Sequence, residues 1–90
     1  MVEFEWVEDK QLSNLEKHKR DFFGARDMFD GRSLFTTISL DHDEVLMVST
    51  GVPSHRRLTV IWSVREARIR IISFRRPRNA EERNHRQLYS

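Results

Sequence analysis

Cysteine is absent from the 90-residue chain, so no disulfide can staple it, and thiolate zinc sites and cysteine nucleophiles are excluded. That absence fits a reducing compartment. Proline occurs twice and glycine three times, too few for a linker or low-complexity segment, and Gly24, Gly31 and Gly51 are too scattered to form a phosphate loop. No apolar run approaches the roughly 18 residues of a membrane span. The opening MVEFEWVEDK is acidic where a secretory signal needs a basic and then an apolar stretch. The expectation is a cytoplasmic protein with one domain over residues 1–90 and a modest core.

Lysine is missing from the second part of the chain, which is nevertheless its basic part. Residues 1–54 hold six Lys/Arg against eleven Asp/Glu, whereas residues 55–90 hold ten Arg against three Glu. Arginine is planar, forked and always charged, so an all-arginine set suits directed contacts to carboxylates or phosphates. The segment RIRIISFRRPRN (68–79) sets five of them around one apolar stretch and is expected to form one basic surface. The plainer role for such charge is to keep a strand edge from aggregating.

EFEW (3–6) alternates acidic and aromatic residues with the period of a half-buried strand. From Glu8 to about His18 there is no Gly or Pro, and Leu12 and Leu15 give a narrow helical stripe. A second short helix is expected after Asp21, its cap, with Phe22, Ala25, Met28 and Phe29 on the buried side despite Gly24. After DGRS (30–33) the period changes: LFTTISL (34–40), EVLMVST (44–50), RLTVIWSV (57–64) and RIRIISF (68–74) read as an antiparallel four-stranded meander. PRNAEERNHRQLY (77–89) reads as a final helix with Asn79 as its cap and Glu81 and Glu82 in its first turn. The predicted class is α+β in the order β-α-α-β-β-β-β-α.

This order, with FEW at 4–6, NLEKH at 14–18, MFD at 28–30, TG at 50–51, RIRIISFRR at 68–76 and ER at 82–83 ahead of Tyr89, resembles the BrnT family of type II toxins. The resemblance implies a RelE-like fold and a ribonuclease that blocks translation without a metal or other cofactor. It also implies a hetero-oligomer with a BrnA-like antitoxin, whose ribbon-helix-helix part would be the only contact with operator DNA. No membrane association follows. Against the family pattern, Lys19 replaces the glycine after the Lys-His pair, Glu66 the glycine of the last hairpin, Leu46 a basic residue, and Phe74 a small one.

Metal-free RNA cleavage needs a base for the 2′-hydroxyl, cations for the phosphorane charge and an acid for the departing oxygen. Arginine supplies charge but is a poor proton shuttle. The shuttle candidates are His18, Lys17, Glu44 and Tyr89; imidazole is the side chain that ordinarily titrates near neutrality. His18 lies in the family's Lys-His motif; a helix-end histidine bonding the last carbonyls is its structural counterpart. The catalytic cations are expected to be Arg65, Arg75 and Arg76, which match the family's Thr-x-Arg and Ser-x-Arg-Arg patterns with Ser63 and Ser73. Within each strand the hydroxyl and guanidinium share a face. Whether the two pairs meet depends on the length of the hairpin loop between them. Arg68, Arg70 and Arg78 face substrate, partner or solvent in this reading, together with Ser63 and Ser73.

DHDE (41–44) reads as a solvated turn rather than a metal site, and His42, His55 and His85 as exposed. No recognition helix for DNA is evident. Two functions remain open: an RNA-cleaving toxin, and a protein of the same fold that binds its antitoxin and co-represses but cleaves poorly.

Overall fold

Strand pairing follows the alternation in the sequence. The computed structural model describes residues 3–29, 34–41, 43–53 and 56–89, with the side chains of Phe23 and Tyr89 outside that set. Its elements are β1 (Phe4–Glu5), α1 (Glu8–His18), a 3₁₀ segment (Phe22–Phe29), β2 (Phe35–Asp41), β3 (Glu44–Gly51), β4 (Leu58–Arg65), β5 (Arg68–Arg75) and α2 (Asn79–Tyr89). The five strands form one mixed sheet in the order β1-β5-β4-β3-β2. The meander is antiparallel, and β1 adds to β5 in parallel, with Phe4 opposite Ile69. The fold is therefore α+β, as the periodicity predicts.

The second expected α-helix is not one. Residues 22–29 form a 3₁₀ segment whose Phe22, Ala25 and Met28 are buried, as the sequence suggests. Spacing of three places these side chains on one side of a three-residue turn. A Cβ on Gly24 would stand 3.3 Å from the Phe74 ring. Small size here permits close packing. The segment covers one sheet face through Leu58, Val60, Ile71 and Phe74, with Trp62, Phe29 and Phe4 stacked at its margin. Farther out on the same face, Ile38, Leu40, Val45 and Val64 are exposed.

The predicted stripe of α1 is also corrected. Leu12 and Leu15 are exposed, and the residue α1 buries is Asn14. β1 is only two residues long, so beyond Arg70 the outer edge of β5 has no strand to pair with. Asn14 completes that edge. Its Nδ2 donates to the Phe74 carbonyl at 2.7 Å and its Oδ1 accepts from the Phe74 N–H at 3.0 Å, as a neighbouring strand would. The same amide takes the Arg20 carbonyl and the Ser73 hydroxyl. Buried backbone groups must be paired somewhere, so a polar residue here does what leucine cannot.

A two-residue turn, Glu66 and Ala67, joins β4 to β5, both residues at positive φ (52° and 64°). Such a turn pairs odd with even positions, as in Ser63 with Arg70 and Arg65 with Arg68. The pairing then slips: Trp62 faces Ile71 but Ile61 faces Ser73, so Ile72 is an extra residue in β5. This bulge lets both Ile71 and Phe74 reach the core. It also returns Ser73 and Arg75 to the face that holds Ser63 and Arg65.

Candidate functional site

α1 ends where the chain must turn, and it ends basic. Lys19 takes the left-handed conformation (φ 57°), and its N–H donates to the Leu15 carbonyl at 2.9 Å. Lys17 and His18 lie in the last turn, where the helix dipole favours positive charge. Asn14 pins the Arg20 carbonyl. Alongside run the β5–α2 connection (76–78) and Arg56, just before β4. Between them lies a cleft of about 620 Å³, lined by Lys17, His18, Lys19, Arg20, Arg56, Arg75, Arg76 and Arg78. Every lining residue is basic. A concave site walled by one sign of charge focuses the potential and draws an anion.

Arg75 is the exception to free charge. Its side chain is 8% exposed, and its two terminal nitrogens meet the two Glu81 carboxylate oxygens at 2.8 and 3.0 Å, a fork-to-fork pair. Glu81 also accepts from the Arg78 backbone N–H at 2.8 Å, and the Glu82 N–H donates to the Arg78 carbonyl. The cap of α2 is therefore Arg78 rather than Asn79, with Glu81 as the returning half of a capping box. Burial pushes the Glu81 carboxyl up. The hydrogen bonds from Arg75 and Arg78, the Arg75 charge and the Thr59 hydroxyl outweigh it and hold the group below its usual value.

The nominated residues separate into two groups. His18, Lys17, Arg76 and Arg78 line the cleft, Arg75 forms part of its wall, and Ser73 lies behind α1 in a neighbouring cavity that Lys17 and His18 share. Arg65, Arg68, Arg70 and Ser63 share the face of Arg75 but stand at the other end of β5. Arg68 and Arg75 are seven positions apart, about 23 Å of strand. The one basic surface expected over 68–79 is therefore two. Arg68 pairs with Glu3 at 2.9 Å. Glu44 opens β3, three residues past the last β3–β4 pair, Met47 with Trp62, and does not line the cleft. The side chain of Tyr89, and residues His42 and His55, lie outside the described residues. His85, expected exposed, is buried and accepts from Arg57 at 3.0 Å. Among the described residues no group of three His, Asp or Glu is placed to hold a metal ion.

The cleft thus joins a histidine, lysines and arginines, and the family model of the ribonuclease toxin BrnT of type II toxin-antitoxin systems matches residues 6–81. The chain belongs to the BrnT family. Among solved structures it is similar to the ribonuclease toxin BrnT of Brucella abortus, with a TM-score of 0.70 and 21% identity, over 88% of this chain and 100% of that one. At that identity the likeness is one of fold. No curated protein matches the chain. Membership in BrnT implies an antitoxin partner. No helix among the described residues is long and apolar enough to cross a membrane.

Sequence reasoning passed over four residues of this BrnT site: Asn14, Lys19, Arg20 and Arg56. Asn14 stands in the NLEKH motif, where a polar residue between two leucines was available as a signal. Lys19 and Arg20 end the run KHKR, whose charge density is visible in the sequence. Arg56 carries no local signal; only the fold brings it to Arg20.

Proposed function

We propose that this BrnT chain is a toxin that cleaves RNA without a metal, inhibits translation in the cytoplasm, and is neutralised by a BrnA-like antitoxin with a ribbon-helix-helix part. The observation that carries this reading is the all-basic cleft containing His18. His18 is the group that moves protons, and Lys17 lies beside it at the same helix end. Arg76 and Arg78 provide the charge that stabilises the pentavalent phosphate, a task that needs donors fixed in place before the reaction. Arg75 acts through Glu81 by fixing the start of α2, and so is a positioning residue. Arg65, at the distant hairpin end, and Glu44, outside the cleft, take no part in the chemistry. The partner complex would be a hetero-oligomer that reaches operator DNA only through the antitoxin, and the RelE-like architecture is part of the same proposal.

The second reading, a BrnT-fold protein that binds its antitoxin and cleaves poorly, draws on one observation. The most buried arginine of the site is already neutralised by Glu81. The two readings part on a single measurement. Purified protein in excess EDTA should cut a synthetic RNA, and expression without the antitoxin should arrest growth; intact RNA and normal growth would leave the second reading standing.

A further inference from the structure

Beside the cleft lies a second cavity of about 420 Å³, and the two share Arg20, Arg56 and Arg76 as a common wall. The second cavity is completed by Arg57, Pro77 and Glu82. Its carboxylate is already engaged, since Glu82 accepts from Arg86 at 2.8 Å. Within the shared wall, Arg20 Nε is buried without a hydrogen-bond partner among the described residues. A buried donor left unmade costs about 1–3 kcal/mol, more for a charged group. The Arg20 carbonyl, not its side chain, is what Asn14 holds. Among the described residues no side-chain hydrogen bond of Arg20 ties the fold together, while its fork matches a phosphate.

We propose that this wall is a second phosphate subsite, at which Arg20 and Arg56 hold the phosphate adjoining the one at His18, with Arg76 standing between the two. The substrate is then a single strand gripped at two consecutive phosphates. The proposal rests on the reading of the cleft as an RNA site and adds to it a minimum length. It also assigns a mode of recognition. No Phe, Tyr or Trp lines either cavity, so stacking there is limited to the His18 ring and the guanidinium planes, and the grip falls mainly on the backbone. Phosphate contacts fix position but carry no base sequence.

The test is binding by the full chain to 2′-deoxy oligonucleotides, which cannot be cleaved through a 2′-hydroxyl, followed by fluorescence anisotropy. A dinucleotide and a trinucleotide without terminal phosphates carry one and two phosphates. The wild-type protein should bind the trinucleotide about ten-fold more tightly, the gain of one charge-assisted contact. In Arg20→Gln and in Arg56→Gln that ratio should fall to about one, and the salt dependence of trinucleotide binding should weaken by about one phosphate contact. Arg20→Lys, with charge but no fork, should recover only part of it. An undiminished ratio in both glutamine variants overturns the subsite, as does equal wild-type affinity for the two probes, while the nuclease reading stands. Failure of the wild type to bind either probe overturns both. An unchanged ratio with weakened binding of the purified antitoxin would assign Arg20 to the protein partner and also overturn the subsite. Thermal melts of the variants confirm that folding is intact.

Discussion

The two ends of β5 carry the same residue type and have opposite surroundings. At the hairpin end, Arg65 and Arg68 are exposed, Arg70 is half-buried, and Arg68 is paired with the Glu3 carboxylate. At the other end, Arg76 and Arg78 join Lys17, His18, Lys19, Arg20 and Arg56 around a concavity that no carboxylate lines. Exposed pairs such as Arg68 with Glu3 contribute little, about 0–1 kcal/mol, and salt screens them. Enclosed like charges repel one another until an anion arrives. Concavity and the placement of counter-charges, rather than the number of arginines, separate a solvated edge from a candidate phosphate site.

Cleavage rate is the sharpest way to break this comparison. Arg76→Ala and His18→Gln should each lower RNA cleavage by about 10²–10³, the cost of one preorganised group. Arg65→Ala and Arg68→Ala should stay within about three-fold of wild type, given the weak, screened contacts at that end. His18→Gln should also flatten the pH dependence of cleavage, as loss of a proton-transfer group does. Equal losses at both ends of β5, measured on purified protein, would merge the two regions into one site.

The ends also differ in how the edge of β5 is completed, by a strand at one and by a side chain at the other. Asn14→Leu leaves the Phe74 N–H and carbonyl unpaired in a buried position and should cost about 2–4 kcal/mol in a denaturant melt. A loss below 0.5 kcal/mol would mean that the edge is satisfied some other way.

Acid should separate the ends next. Glu81 is held below its ordinary 4.5, so it contributes stability fully above that pH and loses it as pH falls through the folded value. Wild type should lose stability below about pH 4.5 more steeply than Glu81→Gln, which should be less stable at pH 7 and flatter in acid. Parallel curves for the two proteins would remove Glu81 from the acid response.

The smallest effects come from strained turns. Glu66, Ala67 and Lys19 hold positive φ that glycine adopts more easily. Ala67→Gly should raise stability by about 1 kcal/mol without changing cleavage. Lys19→Gly should raise it by a similar amount and yet weaken RNA binding, because it removes a cation from the cleft. If both variants gained stability with no change in RNA affinity, Lys19 would be a turn residue only.

Periodicity alone placed every strand of the meander and the span of α1 within a residue or so, because alternation and helical spacing are local properties of the chain. The motifs placed the family, and the charge split of residues 55–90 announced the arginines. The 3₁₀ geometry of residues 22–29 was not legible, since a spacing of three with buried Phe22, Ala25 and Met28 fits either helix type. Nor could the shared face of Ser63, Arg65, Ser73 and Arg75 be read off. A two-residue turn separates their parities and the Ile72 bulge restores them, and a bulge depends on which side chains the core demands. The same holds for Asn14, Arg20 and Arg56. A side chain that completes a strand edge 60 residues away, and two arginines that meet across a cleft, are determined by non-local packing that no window of the sequence contains.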